Sequence, residues 1–330
     1  MREFAYQRAT GVREALTAVA EEPGARFLGG GTNLVDLMKN EVETPTRLVD
    51  VRRLPLGGVR QTDDGGLVIG ATTTNSDAAA DPEVRRRYPA VTQAILAGAS
   101  GQLRNMATVG GNLLQRTRCS YFADVTEPCN KRAPGSGCGA IEGVHHNHAI
   151  LGRSEHCAAT HASDMAVPLA AFDAVVQYVT LDRTGEIPLA EFYAPVGDRP
   201  DRETTLPAGA LITGVALPPA AVARHSRYRK VRERASYAFA TVSIAAALEV
   251  RDGLVHDVRI ALGAVAPRPW RAGTAEAALL HGPATADRFR AAAAAELEAA
   301  RPLRHNGYKV ALARNLIEAV LTELAEGSNH

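Results

Sequence analysis

The sequence predicts an α+β protein in two parts, and three observations carry that reading. Up to Pro218, short β-prone runs alternate with short helical spacings, joined by glycine-rich turns. At Pro218-Pro219 the composition shifts, as it does at a domain boundary. Beyond it, three strand-like runs precede three segments rich in Ala, Leu and Glu at helical spacing. A length of 330 residues suits about two domains. The expected division is 1–218, with a cysteine-bearing loop at 115–161, and 219–330.

Phe4 to Tyr6 reads as a short strand, and Val12, Leu16, Val19 and Ala20 have helical spacing. Arg26-Phe27-Leu28 reads as a strand running into Gly29-Gly30-Gly31-Thr32-Asn33, after which Leu34, Leu37 and Met38 mark a short helix. Thr32 or Asn33 can cap that helix, and its first amides, with the glycine amides, make a donor surface suited to pyrophosphate. The pattern lacks the third glycine of the dinucleotide fingerprint, which disfavours a nicotinamide-binding Rossmann unit; a plain turn is the bland alternative. Arg47 to Val51 and Leu67 to Gly70 read as strands, and Val91, Ile95 and Leu96 as a helix. Ala174 to Leu181 and Leu211 to Val215 are further strands, separated by a turn at Arg183-Thr184-Gly185. In the second part Tyr228 to Val231, Thr241 to Val250 and Leu254 to Val265 can form one antiparallel sheet. Ala275 to Leu280, Ala284 to Ala300 and Tyr308 to Ala325 are its helices.

The chain centres on Gly98 to Asp164. There Gly101-Gln102-Leu103-Arg104-Asn105-Met106-Ala107-Thr108-Val109-Gly110-Gly111-Asn112-Leu113 leads into a loop that holds all four cysteines, Cys119, Cys129, Cys138 and Cys157. A glycine pair lets backbone amides approach an anion with no Cβ in the way, and four thiols in one connection can hold a metal centre. The combination reads as a phosphate-bearing cofactor beside an iron-sulfur cluster. Spacing alone names no metal, because C-x9-C-x8-C-x18-C matches neither a compact ferredoxin run nor a zinc ribbon. Two disulfides, structural zinc and unconnected buried thiols compete with it. His145, His146, His148 and His156 near the last cysteine read as surface histidines. Asp164 can cap a helix or accept a ribose hydroxyl, the cap being the commoner use.

Lys and Arg number 37 against 36 Asp and Glu, so no global field points to nucleic acid or an anionic membrane. No apolar run approaches the ~18 residues of a membrane helix. Met1 to Tyr6 begins no signal peptide, so the expected compartment is the cytoplasm, or the periplasm if a signal-bearing partner exports the complex. No Ser-His-Asp arrangement or paired-carboxylate signature stands out, which disfavours a hydrolase.

Together, Gly29-Gly30-Gly31-Thr32-Asn33-Leu34, Thr108-Val109-Gly110-Gly111-Asn112-Leu113, Ser163-Asp164 and Lys230-Val231-Arg232 resemble the medium, FAD-binding subunit of molybdenum hydroxylases, the xanthine dehydrogenase and aldehyde oxidoreductase family. The cysteine loop resembles most the FAD subunit of bacterial heterotrimeric aldehyde oxidoreductases; 4-hydroxybenzoyl-CoA reductase has a comparable insertion. The resemblance implies a two-part flavin domain of the vanillyl-alcohol oxidase type and a smaller C-terminal domain of sheet and helices. It implies that Phe27, Leu28, Gly29, Gly30, Gly31, Thr32, Asn33 and Leu34, with Thr108, Gly110, Gly111 and Asn112, hold the FAD diphosphate. Asp164 would reach the adenosine side, Ile212 and Lys230 would lie near the flavin ring, and Arg118 is assigned because it adjoins the cluster loop. The four cysteines would ligate a [4Fe-4S] cluster. The implied partners are a large subunit with a molybdenum cofactor that oxidises an aldehyde and a small subunit with [2Fe-2S] clusters, the chain itself carrying no substrate-oxidising residue. A self-contained flavin reductase without a cluster, a 4-hydroxybenzoyl-CoA reductase-like subunit and a zinc-bearing scaffold are the alternatives.

Overall fold

A computed structural model describes residues 1–327. The end of the expected second part, 328–330, lies outside the described residues. The first three strands, Ala5–Arg8, Arg26–Leu28 and Arg47–Asp50, form a parallel sheet with Arg47–Asp50 in the middle. Parallel neighbours need crossover connections, and the helix Val12–Glu21 supplies the first, packing Ala15 and Leu16 against Val49.

A five-stranded antiparallel sheet follows, in the order Val59–Gln61, Leu67–Gly70, Leu211–Leu217, Val175–Val179, Thr184–Pro188. Its apolar face and the helices Pro89–Ala97 and Ala166–Ala171 enclose the largest core, which includes Ile69, Val91, Leu169, Val176 and Val215. The last sheet is antiparallel, in the order Trp270–Arg271, Leu254–Gly263, Val242–Arg251, Ser226–Val231. Its two long strands are joined at Asp252-Gly253, both at positive φ (51° and 73°), as the tightest twisted hairpin requires. Ile244, Ala246 and Leu248 face the helices Gly273–Leu279, Ala286–Leu297 and Tyr308–Gly327. The alternate residues Ala245 and Ala247 join the core of the first part instead. Val242–Arg251 is thus a wall shared by both cores, and its alanines let the parts approach closely.

Strands and long helices lie within one to three residues of where periodicity places them, and the differences have local causes. Asn75–Ala80, Pro82–Arg87, Gly101–Met106 and Val109–Leu113 are helices with no hydrophobic period. Each is started by a side-chain cap: Thr74 accepts from Asp77 N, Asp81 from Glu83 and Val84 N, Ser100 from Leu103 N, and Thr108 from Gly111 N. Thr184–Pro188, expected to open with a turn, is a half-exposed edge strand paired only with Val175–Val179.

The parallel sheet ends on a buried carboxylate. Asp50 is 1% exposed and accepts hydrogen bonds from Tyr6 Oη at 2.7 Å, Arg52 N at 2.9 Å and Arg52 Nη2 at 2.9 Å. Burial alone would raise its pKa, but the bonds from Arg52 and Tyr6 outweigh it and hold the carboxyl at about 2. A lowered folded-state pKa means stability that is present above the unfolded value, near 4, and is lost as pH falls from there towards 2. Asp50→Asn is expected to remove roughly 2 kcal/mol at neutral pH and to flatten the acid limb. Urea unfolding at neutral pH and at about pH 3 checks this: an equal loss of stability on acidification in both proteins would contradict it.

Candidate functional site

The loop after Arg26–Leu28 is shaped by a contact that only glycine permits. A methyl group on Gly30 would stand 1.8 Å from the Met106 carbonyl oxygen, and one on Gly29 2.7 Å from Thr108 Oγ1. Gly31 sits at φ +73°, where side chains are strained. The two glycine segments singled out from the sequence are therefore packed against each other. Among the described residues, the amides of Gly29, Gly30, Gly31, Thr32 and Asn33 donate to no acceptor, and Phe27 to Leu34 are all half-buried. Asn33 occupies the N-cap position of the helix Leu34–Lys39, but its side chain makes no cap. Its Oδ1 accepts from Arg116 N at 2.8 Å instead, and its buried Nδ2 has no partner. Five free amides and an unpartnered amide nitrogen form a donor surface for an extended anion.

The second glycine segment differs from its expected use as a donor surface. Val109, Gly110 and Gly111 donate to Thr73 O, Ala71 O and Thr108 Oγ1, so these amides are taken up within the chain. Gly110 is needed for close packing, since a Cβ there would lie 3.1 Å from the Ala71 Cβ. Thr108 is buried against the first loop, and Asn112 passes the connection onward, its Oδ1 accepting from Ser163 Oγ at 2.5 Å.

Ser163 and Asp164 meet the second part of the protein. Asp164 does not cap a helix with its side chain; Ser163 Oγ accepts from Ala166 N in that role. Asp164 Oδ2 pairs with Lys230 Nζ at 2.7 Å, and Oδ1 accepts from Tyr228 Oη at 2.5 Å. Lys230 also donates to Ala97 O at 3.2 Å. Burial and the neighbouring Asp164 both push the Tyr228 phenol well above its ordinary value, so it remains a donor. A cavity opens beside this triad, lined among others by Arg118, His161, Ser163, Asp164, Phe239 and Ser243. His161 Nδ1 accepts from Ser163 N at 3.3 Å, which places the ring proton on Nε2, and that buried atom has no partner. Burial lowers His161 to about 4, so the ring is neutral. Ile212 lies 3% exposed in the core of the first part and lines neither this cavity nor the one described next.

The cysteine loop is built, not slack. Cys129 and Cys138 face each other across an antiparallel bridge. Asn130 holds that hairpin: its Oδ1 accepts from Gly135 N and Gly137 N, and its Nδ2 donates to His156 O at 3.0 Å. Arg132 donates to the carbonyls of Tyr121, Phe122 and Glu127. Glu203 joins the loop to the first part, accepting from Arg116 Nε at 2.6 Å and Lys131 Nζ at 2.9 Å, while Arg116 also pairs with Glu43. Burial would raise the Glu203 carboxyl, but Lys131 and Arg116 hold it below its ordinary value.

Cys119, Cys129, Cys138 and Cys157 line one cavity with Thr117, Tyr121 and Lys131, and the four thiols are unbridged. Among the described residues, no three His, Cys, Asp or Glu side chains are drawn together tightly enough to hold a single metal ion. Burial pushes Cys119 up to about 12 and raises Cys157 as well. A nucleophilic or peroxide-sensing thiol is therefore disfavoured. The two cavities adjoin along the chain. Cys119 lines one and Arg118 the other; Cys157 and Ala159 line the first, Thr160 and His161 the second.

Two neighbouring histidines are not surface residues. His145 is 2% and His148 8% exposed, covered by the segment around His305 to Lys309. Their burial, the His161 ring and the Tyr228 hydroxyl had no periodic signal, because their neighbours come from distant parts of the chain.

The fold has two parts, and the families that match them place it among the FAD-binding flavoproteins of the oxidoreductase class. The FAD-binding domain of molybdopterin dehydrogenases matches residues 2–220, and the C-terminal domain of CO dehydrogenase flavoproteins matches residues 226–324. The chain belongs to the FAD-binding subunits of the molybdenum hydroxylases. It is 50% identical over 324 residues to the aldehyde oxidoreductase FAD-binding subunit PaoB of Escherichia coli, covering 98% of each chain. It is similar in structure to a chain of quinoline 2-oxidoreductase from Pseudomonas putida 86, with TM-score 0.77 and 22% identity over 100% of this chain and 99% of that one. A chain of carbon monoxide dehydrogenase from Hydrogenophaga pseudoflava gives TM-score 0.75 at 25% identity, over 97% and 96%.

Gly30→Ala is expected to push the first loop off Met106, costing about 1–3 kcal/mol, and to lower bound flavin severalfold. The flavin absorbance per chain of purified protein measures this; full flavin content in the variant would contradict it.

Proposed function

We propose that the chain is the FAD- and [4Fe-4S]-bearing electron-transfer subunit of a molybdenum-dependent aldehyde oxidoreductase. It takes electrons from a small [2Fe-2S] subunit, supplied by aldehyde oxidation at a large molybdenum-cofactor subunit, and passes them to an external acceptor. The observation that carries this reading is the adjacency of the two cavities, one lined by all four cysteines and the other holding the unpartnered His161 nitrogen. Electron exchange needs closely spaced centres, and two chain segments, Arg118–Cys119 and 157–161, serve both cavities. The similarity to PaoB, over nearly all of both chains, supports the aldehyde class and the multi-subunit setting.

When bound, the flavin would exchange electrons with the external acceptor and the cluster with the partner's centres. The chain's own contribution is placement. The free amides of Gly29 to Asn33 suit the diphosphate. The Asp164–Lys230 pair and Tyr228 brace the cavity wall between the two parts, and the neutral His161 offers a fixed Nε2–H donor. The four cysteines fit a cluster by their chemistry and by their convergence on one space. Lys131, buried beside them, supplies a positive charge that Glu203 and Pro200 O keep in position.

Iron and acid-labile sulfide in the anaerobically purified complex test the proposal. Cys129→Ser is expected to remove about four irons and four sulfides per complex while flavin and the partner's [2Fe-2S] signals remain. Equal iron in the variant and the unaltered complex would overturn the cluster assignment.

A further inference from the structure

Two polar side chains of the second part are wholly buried, Asn306 and Lys309, each 0% exposed. Burying an ammonium and an amide costs free energy unless acceptors meet them, so their partners show what they are for. Lys309 Nζ donates to Asn147 O at 3.2 Å, His148 O at 3.1 Å and Ala264 O at 2.6 Å. Asn306 Nδ2 donates to His148 O at 3.1 Å and Ala149 O at 3.3 Å. Both side chains converge on the backbone of 147–149 in the cysteine loop. His145 Nε2 accepts from His305 N at 3.0 Å, and Ile150 O accepts from Arg301 N at 2.7 Å, so the C-terminal part fastens this stretch from both sides.

The residue held at the centre is His148. Its Nε2 lies 3.2 Å from Cys119 Sγ, and its Nδ1 is buried without a partner. Once Cys119 is a thiolate, the sulfur can only accept, so the proton must sit on Nε2, leaving Nδ1 as an unprotonated acceptor. An unmet acceptor is the less costly of the two buried orphans. The bracket from Asn306 and Lys309 prevents the ring from withdrawing with its backbone.

We infer that His148 is a positioning residue for the sulfur centre, its Nε2–H donating to Cys119 Sγ while Asn306 and Lys309 hold its backbone in place. The inference rests on the reading of the cysteine cavity as a cluster site. A hydrogen bond to a ligating sulfur stabilises the more negative, reduced form, so its strength shifts the midpoint potential. The C-terminal part thereby contributes to the potential of a centre whose ligands all lie in the first part.

EPR-monitored redox titration of the intact complex, with iron counted in each sample, tests this. His148→Leu is expected to keep its iron and to shift the cluster's midpoint downwards by about tenfold in the reduced-to-oxidised ratio at fixed poise, ~59 mV for a one-electron couple. His148→Gln, which retains an N–H donor, is expected to recover part of the shift. Should the leucine variant fail to assemble, Lys309→Met replaces it, with a smaller shift in the same direction expected at full iron content. A midpoint equal to that of the unaltered complex, in whichever iron-replete variant is obtained, overturns the role of His148. Absence of the cluster from the unaltered complex overturns the inference as well, but is seen before any substitution and so marks failure of the cluster reading itself.

Discussion

A methyl group on Gly30 has nowhere to go, because the Met106 carbonyl oxygen would lie 1.8 Å from it. This contact is the constraint on which the first part depends. It brings the turn after the second strand into register with the segment ahead of Val109–Leu113, and it leaves five consecutive amides without acceptors among the described residues. Backbone donors held by close packing cannot turn away to find partners of their own. The cost of leaving them free is met by the packing that fixes them, and a bound anion can then collect them all without reorganisation.

From that contact a continuous path of short polar bonds crosses the molecule. Thr108 begins the helix that carries Asn112; Asn112 accepts from Ser163; next to Ser163, Asp164 joins Tyr228 and Lys230 on the far sheet. The neighbouring strand Val242–Arg251 is buried on both faces, so this join lies against the wall shared by the two cores and not at a mobile seam. The cysteine loop crosses the same boundary. Glu203, Arg116 and Lys131 tie it to the first part, while Asn306 and Lys309 tie it to the second. On the proposed reading, a flavin and a sulfur centre held along such a path would keep a fixed separation, which electron exchange requires and which a loop on its own could not provide.

The division of labour between the two glycine segments shows how far motif reading reaches. Both contain adjacent glycines, and both suggest open amides. Only the first has them. Gly110 and Gly111 use their amides on Ala71 and Thr108, and Gly110 is small so that the helix start can dock on the strand end. The same residue type serves donation in one loop and packing in the other, and the difference lies in what stands opposite. Asp164 makes a similar point. Its position suggested a helix cap, yet Ser163 takes that place and the carboxylate pairs with Lys230, which is 66 residues away in sequence.

Strands, long helices and the two-part order were legible in the sequence because periodicity and turn residues act over a few neighbours. The clustering of four cysteines in one aperiodic connection was legible for the same reason. Short capped helices such as Asn75–Ala80 were not, since a single side-chain bond from Thr74 starts them where no apolar stripe exists. Nor were the burial of His145 and His148, the unpartnered nitrogen of His161 or the bracket made by Asn306 and Lys309. Composition and local pattern determined which elements form and which residues could carry chemistry. Tertiary structure alone decided which amides stay free, which carboxylate meets which lysine and which imidazole meets a sulfur, because each depends on groups brought together across long stretches of chain.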